Sequence, residues 1–350
     1  MNEAAERDAL ASLAAEIGAQ PTLIQAAGGN VSIKLGDVMW IKASGTWLAN
    51  AKSAPIMAPL ALDALLAAFA RNDPACETCV DFLRVDLNPT ALRPSIETTM
   101  HAVMPQKIVV HVHCVETIAW AVRVDAEAAL TPRLAGLRWA FIPYIKPGLP
   151  LGQAMRRAAR AGAEVIVLGN HGLVVAADNT DEARALLFEV VRRLRRPIRS
   201  APPLNRVRLV ARAEGSSYRI AADDVAHATA TDPISLRQAS GGSLFPDQVV
   251  FLGPGITQLE AGETVAQCEA RSARMNPAGT NPALILVPGA GALLRSGASA
   301  ATIALARCLG DVTARIGEDD TLHYLGAEAE AALLKWDAEV YRQSLNRSQS

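Results

Sequence analysis

The sequence predicts an α/β chain of two modules, on three observations. Segments with helical spacing of apolar residues alternate with short, continuously apolar runs that read as buried strands. At 350 residues, half of them hydrophobic, the chain exceeds one average domain and can build a substantial core. Between residues 192 and 212 the composition shifts to arginine and proline, as at a boundary between modules. A net charge of −1 argues against a general nucleic-acid or membrane-surface role. Five cysteines, an odd number without a regular framework, fit a reducing compartment. No basic-then-apolar leader opens the chain, and no apolar run approaches the roughly 20 residues of a membrane span. A soluble, cytoplasmic protein is expected.

Residues 3–17 predict an amphipathic helix with Leu10, Leu13 and Ile17 on one stripe, closed by Gly18. Two strands follow, Asn30 to Ile33 and Val38 to Lys42, with Gly36-Asp37 as the hairpin turn between them. The glycine-bearing loops at their ends, Gly28-Gly29-Asn30 and Ala43-Ser44-Gly45-Thr46, can offer N–H groups and hydroxyls to an anion, or be plain turns. Residues 59–71 predict a helix that Asn72-Asp73-Pro74 stops. Cys76 and Cys79 form an isolated C-x-x-C to which no function is assigned.

Ser95 reads as the cap of a helix that carries Glu97 in its first turn and ends at Pro105. Glu116 to Val124 is helical and Leu137 to Ile142 a short strand. Residues 150–162 read as a basic helix, Glu164 to Gly169 as a buried strand, and 180–195 as a long helix capped by Thr180. Beyond the boundary, Ala283 to Val287 is a buried strand that turns through Gly289 and Gly291 toward a helix at 298–316. It resembles half of a dinucleotide motif, but Leu294 stands at the third glycine and no cofactor site is assigned. A helix over 326–343 closes the chain.

The chemistry gathers around Val109-Val110-His111-Val112-His113. Side chains two apart on a strand leave the same face, so both imidazoles meet one cavity. They could be buried core groups, but neutral imidazole is the commonest metal ligand and two on one face make half of a metal site. His171, between Asn170 and Gly172 at the join of two apolar runs, is the best third ligand. Glu97, shortly before the histidine strand, is the candidate proton-transfer group. Partial burial should raise its pKa toward neutrality. His101, one turn beyond, could be a ligand or pack between helix and sheet.

The ordered set Gly28-Gly29-Asn30-Val31-Ser32, Ala43-Ser44-Gly45, Arg93-Pro94-Ser95-Ile96-Glu97, His111-Val112-His113, Pro143-Tyr144 and Asn170-His171-Gly172-Leu173 resembles the class II aldolase/adducin family over about residues 5–198. The short spacing from Glu97 to His111 is most similar to the aldolase part of bifunctional rhamnulose-phosphate aldolase/short-chain dehydrogenase proteins. The resemblance implies a three-layer α-β-α fold with a mainly antiparallel central sheet over residues 1–198; the shift to arginine and proline then makes 199–212 the linker to a smaller α/β module over 213–350. It implies His111, His113 and His171 as ligands of a divalent metal, zinc in the family, with Glu97 as acid/base. Asn30, Ser44, Gly45 and Ser95 then form the cradle for a substrate phosphate. Tyr144 matches a tyrosine that acts on the leaving oxygen from a neighbouring subunit, and a homo-oligomer, a tetramer foremost, is implied.

Ala27, Ala43 and Ile96 stand where phosphate-binding relatives often carry a hydroxyl. The implied activity is reversible retro-aldol cleavage of a ketose phosphate or related hydroxy-keto compound through a metal-stabilised enediolate. The same chemistry supports an epimerase, dehydratase or decarboxylase. The adducin branch of the fold is a non-catalytic interaction module that lacks the metal histidines.

Overall fold

The computed structural model describes residues 2–275 and 281–335. The chain divides into two compact units, Met1–Thr117 with Ala126–Arg195, and Ile118–Asp125 with Arg196–Ser350.

The first unit is built on seven strands: β1 (Asn30–Leu35), β2 (Val38–Lys42), β3 (Met57–Ala61), β4 (Ile108–Val112), β5 (Trp139–Ile142), β6 (Val165–Leu168) and β7 (Gly172–Ala177). They lie side by side in the order β3-β2-β1-β4-β7-β6-β5. Every neighbouring pair is antiparallel except β5 with β6. The helices are α1 (Glu3–Gly18), α2 (Leu62–Ala70), α3 (Thr98–Ala102), α4 (Val115–Ala121, which ends in the second unit), α5 (Ala126–Leu130), α6 (Leu149–Arg160) and α7 (Thr180–Arg193).

Strand periodicity sorts the helices into layers. Val109, Ile166, Val174 and Ala176 pack under Met100 and Met104 of the α3 segment and Leu151 and Met155 of α6. Met39, Ile41 and Leu60 pack under Leu65 and Phe69 of α2. On the opposite face α1 lies against β1, and α7 against β4 and β7. His111 sits two residues from Val109 and opposite both Asn30 and Val174, so all of them face the α3 side.

Several local expectations are corrected. Pro59-Leu60-Ala61 belongs to β3, not to a helix. At the sheet edge Pro59 needs no ladder N–H, and Met39 and Ile41 give the run a buried partner. The Ser95 helix starts only at Thr98, with Glu97 as its N-cap. The Ser95 hydroxyl instead accepts from the Glu97 N–H at 3.2 Å. β4 stops at Val112, leaving His113 just beyond it, and α4 stops at Ala121. Asn179, not Thr180, caps α7, accepting from the Glu182 N–H at 2.9 Å. Gly18 lies within α1, where a side chain would collide with the backbone of Leu48 and Ala49.

The second unit holds α8 (Arg206–Ala213), β8 (Tyr218–Ile220), α9 (Asp224–Thr231), α10 (Pro233–Ser240), α11 (Pro246–Leu252), β9 (Thr257–Gln258), α12 (Val265–Met275), β10 (Leu284–Val287), β11 (Gly291–Arg295), α13 (Ala300–Thr313) and α14 (Ala327–Leu334). A four-stranded sheet runs β8-β11-β10-β9. Residues 206–212, part of the stretch 199–212 read from sequence as linker, lie in α8. Gly289 and Gly291 close an antiparallel β10–β11 hairpin rather than a strand-to-helix turn. The expected closing helix is α14 as far as Leu334, and its residues 336–343 lie outside the described ones. His227 fastens this unit's sheet: its Nε2–H donates to the Ala221 carbonyl and its Nδ1 accepts from the Ala292 N–H, both at 3.0 Å.

Candidate metal centre

Three chain ends meet at one end of the first sheet. β4 delivers His111 and, one step past its end, His113. The β6–β7 turn delivers His171 through Asn170, which adopts a left-handed backbone at φ 55°. Asn170 tolerates that region because its short side chain can bond locally. β1 begins beside them with Asn30 opposite His111. Two glycines make this approach possible. A Cβ on Gly172 would lie 2.4 Å from the Val112 carbonyl oxygen. Gly29, at φ 62°, would place one 2.8 Å from the His111 carbonyl oxygen. Gly29 thus serves a close backbone approach to the histidine strand.

The three imidazoles form a nearly equilateral cluster, each pair of ring centroids 4.9 Å apart. His111 Nδ1 lies 3.0 Å from the Leu173 carbonyl oxygen, which can only accept, so Nδ1 carries a proton and Nε2 is the nitrogen turned to the cluster, the one that would ligate a metal. His113 Nε2 is 3.1 Å from His111 Nε2. Glu97 Oε1 stands 3.4 Å from His111 Nε2 and 3.3 Å from His171 Nε2. All four donor atoms lie within 4.8 Å of one another, and all four residues are buried. Two ligands about 2.0–2.1 Å from a tetrahedral zinc are about 3.3 Å apart, so this donor set and its spacings fit one first-row divalent ion.

Electrostatics agree with ligand chemistry. Burial drives the His171 pKa down to about 4, against the pull of Glu97, and so keeps its ring neutral. Burial also drives His101 down to about 3. For Glu97 burial acts upward, but His111 and His171 outweigh it and hold the carboxyl well below the usual carboxylate range. The expected upward shift is therefore corrected: Glu97 is an ionised base facing the imidazoles, because its nearest neighbours stabilise its charge.

The two neutral histidines make the fold acid-labile. Each has a folded pKa below its ordinary 6.5, so the unfolded chain takes up the proton first. Stability is fully present above about pH 6.5 and is lost as pH falls toward about 4, on the order of 1 kcal/mol per pH unit for each group. Urea unfolding of the metal-free chain between pH 7 and pH 4 should show a falling midpoint. His101→Phe should flatten that slope.

The remaining candidates divide. Asn30 Nδ2 donates to Glu97 Oε2, which places Asn30 with the carboxylate. Its buried Oδ1 has no partner among the described residues. Ser44, Gly45 and Ser95 lie on adjoining loops: the Ser44 N–H donates to the Arg93 carbonyl at 2.9 Å, and Ala43 bridges Pro94. Tyr144 is half-buried with its backbone against Gly169, two residues before His171. Cys76 and Cys79 are buried free thiols apart from this centre, and burial raises both pKa values. His101 is not a ligand either; its Nδ1 is 2.8 Å from the Ser32 hydroxyl.

Sequence reasoning missed Lys42. Its buried ammonium donates to the Ala27 carbonyl at 2.9 Å and lies 3.5 Å from that of Ala43, tying together the two glycine-bearing loops. A lysine ending an apolar strand directly before a small-residue loop was the available signal.

The profile of the family described as "Class II Aldolase and Adducin N-terminal domain" matches residues 8–196. A Bacillus subtilis protein named "Uncharacterized oxidoreductase YuxG" is 31% identical over 177 residues, which are 47% of this chain and 25% of that protein. This chain therefore spans only a quarter of that curated relative. Among solved structures, the N-terminal class II aldolase domain of a Thermoplasma acidophilum protein is 28% identical, covering 53% of this chain and 91% of that one, with a TM-score of 0.47. An L-fuculose-1-phosphate aldolase from Thermus thermophilus is 17% identical, covering 55% of this chain and 93% of that one, with a TM-score of 0.38. Among the described residues no helix is long and apolar enough to cross a membrane.

Proposed function

Since the chain belongs to the class II aldolase/adducin family, we propose that it is a metal-dependent lyase for reversible retro-aldol cleavage of a ketose phosphate or related hydroxy-keto compound. One observation carries the proposal: three imidazoles and one carboxylate, drawn from separate segments, bring their donor atoms within 4.8 Å. His111, His113 and His171 would hold a divalent ion, zinc by donor type. When bound, such an ion supplies Lewis-acid stabilisation of negative charge on a substrate oxygen.

The protein's own groups do the rest. Ionised Glu97 takes the proton from the substrate hydroxyl beside the scissile bond. The O–H electrons form the new aldehyde C=O bond, the C–C electrons pass into the ketone half as an enediolate, and protonated Glu97 then returns its proton to the enediolate carbon. Asn30 holds one Glu97 oxygen, which leaves the other aimed at the imidazoles. Ser44, Gly45 and Ser95 line adjoining loops suited to a phosphate, and Lys42 fastens the loop that precedes Asn30. Tyr144, from a neighbouring subunit of a homo-oligomer, a tetramer foremost, would hydrogen-bond the oxygen that becomes the aldehyde carbonyl, and would return a proton to it in the condensing direction. Catalysis is assigned to residues 1–198.

Zinc-loaded protein incubated with a panel of ketose phosphates and hydroxy-keto acids should release an aldehyde, detected by NMR, and a chelator should stop it. An epimer, a dehydrated product or carbon dioxide instead would move the proposal to an epimerase, dehydratase or decarboxylase at the same centre. No turnover of any compound by metal-loaded protein would overturn it.

A further inference from the structure

The segment that carries Glu97 is held unusually. α3 has five residues, far short of the roughly 12–15 at which an isolated helix becomes stable, and its N-terminus has no side-chain cap. Its place must come from packing. Met100 and Met104 bury it on the sheet. Methionine is adaptable and tolerates sliding, so these contacts set distance from the sheet better than position along it.

Position along the sheet is set by three polar ties from one face of β1. Asn30 donates to the Glu97 carboxylate. Ser32 meets His101 Nδ1 at 2.8 Å. Lys34 Nζ donates to the carbonyls of Met104 at 2.5 Å and Gln106 at 2.8 Å. Alternate strand residues advance about 6.6 Å and a helical turn about 5.4 Å, so residues 30, 32 and 34 can meet 97, 101 and 104 in succession.

The central tie is the most sheltered. Ser32 and His101 are both wholly buried, and His101 Nε2 has no partner among the described residues. A buried N–H is costlier to leave unpaired than a ring lone pair, so the favoured tautomer donates from His101 Nδ1–H to the Ser32 hydroxyl.

We infer that Ser32 and His101 are positioning residues that fix the register of α3 on β1 and thereby hold the Glu97 carboxylate against the imidazole cluster. The inference rests on the metal-dependent function proposed above. Loss of the tie lets α3 slide and moves Glu97 from His111 and His171 while the three imidazoles stay in place.

The test is Ser32→Ala with cobalt(II) as the metal, whose visible bands report the surroundings of the ion without any substrate. Ser32→Ala should take up cobalt to the wild-type stoichiometry but with altered bands. It should lose about tenfold in kcat with KM within about twofold, as expected for displacement of a reacting group. Ser32→Thr should restore both. His101→Asn places an amide N–H where Nδ1 lies and should keep the wild-type bands and kcat, whereas His101→Gln mimics Nε2 and should lose both. A Ser32→Ala protein with wild-type bands and kcat, altered only in melting temperature, would overturn the positioning role. Failure of the wild-type protein to bind cobalt would instead overturn the metal-dependent function.

Discussion

His111→Ala is expected to leave the purified protein without a bound divalent ion and without the proposed lyase activity. His111 is wholly buried in the middle of the first sheet, paired across to Asn30 and Val174, and its Nε2 lies 3.1 Å from His113 Nε2 and 3.4 Å from Glu97 Oε1. Removing it takes one of three imidazoles from the centre. If structural zinc binding is worth about 10–16 kcal/mol, the loss of about a third of it weakens affinity by roughly 10²–10⁴-fold. The Leu173 carbonyl also loses its side-chain donor, a cost of about 1 kcal/mol. The measurement is metal content after dialysis, with circular dichroism to show that the sheet persists. Wild-type metal content in a folded His111→Ala protein would remove this residue from the centre.

Glu97→Gln separates metal binding from proton transfer. The side chains have nearly the same shape, and the amide oxygen can still accept from Asn30 Nδ2. Metal should therefore stay at one ion per chain. What is lost is the ionised carboxylate that His111 and His171 stabilise. A general base contributes about 10²–10⁴-fold, so kcat should fall by that order with KM little changed. Full activity in this variant would end the assignment of Glu97 as the base.

The four residues of the cluster were legible from sequence for different reasons. The His111 and His113 pair followed from strand periodicity, which fixes a face even though β4 ends one residue before His113. His171 was singled out because it stands between Asn170 and a glycine at the join of two apolar runs; the structure gives that asparagine a left-handed backbone and leaves no room for a side chain on Gly172. Glu97 was found by proximity and resemblance, yet the direction of its pKa was misjudged. Burial was visible in the sequence, whereas two imidazoles facing the carboxyl were a tertiary fact.

Pro59 misled because proline before an apolar run signals a helix start, and nothing local says that the run lies at a sheet edge. Lys42 and the Ser32–His101 tie were hidden by the same limit. Each is a polar group in a strand or helix whose partner lies many residues away. Periodicity reports which face a side chain takes, not which atom it meets there.

X-ray absorption of the zinc-loaded protein tests the centre most directly. Three imidazole nitrogens from His111, His113 and His171 predict a shell of nitrogen scatterers at about 2.0–2.1 Å and no sulfur. A sulfur shell at about 2.3 Å would place the ion at the buried cysteines instead and contradict the histidine centre.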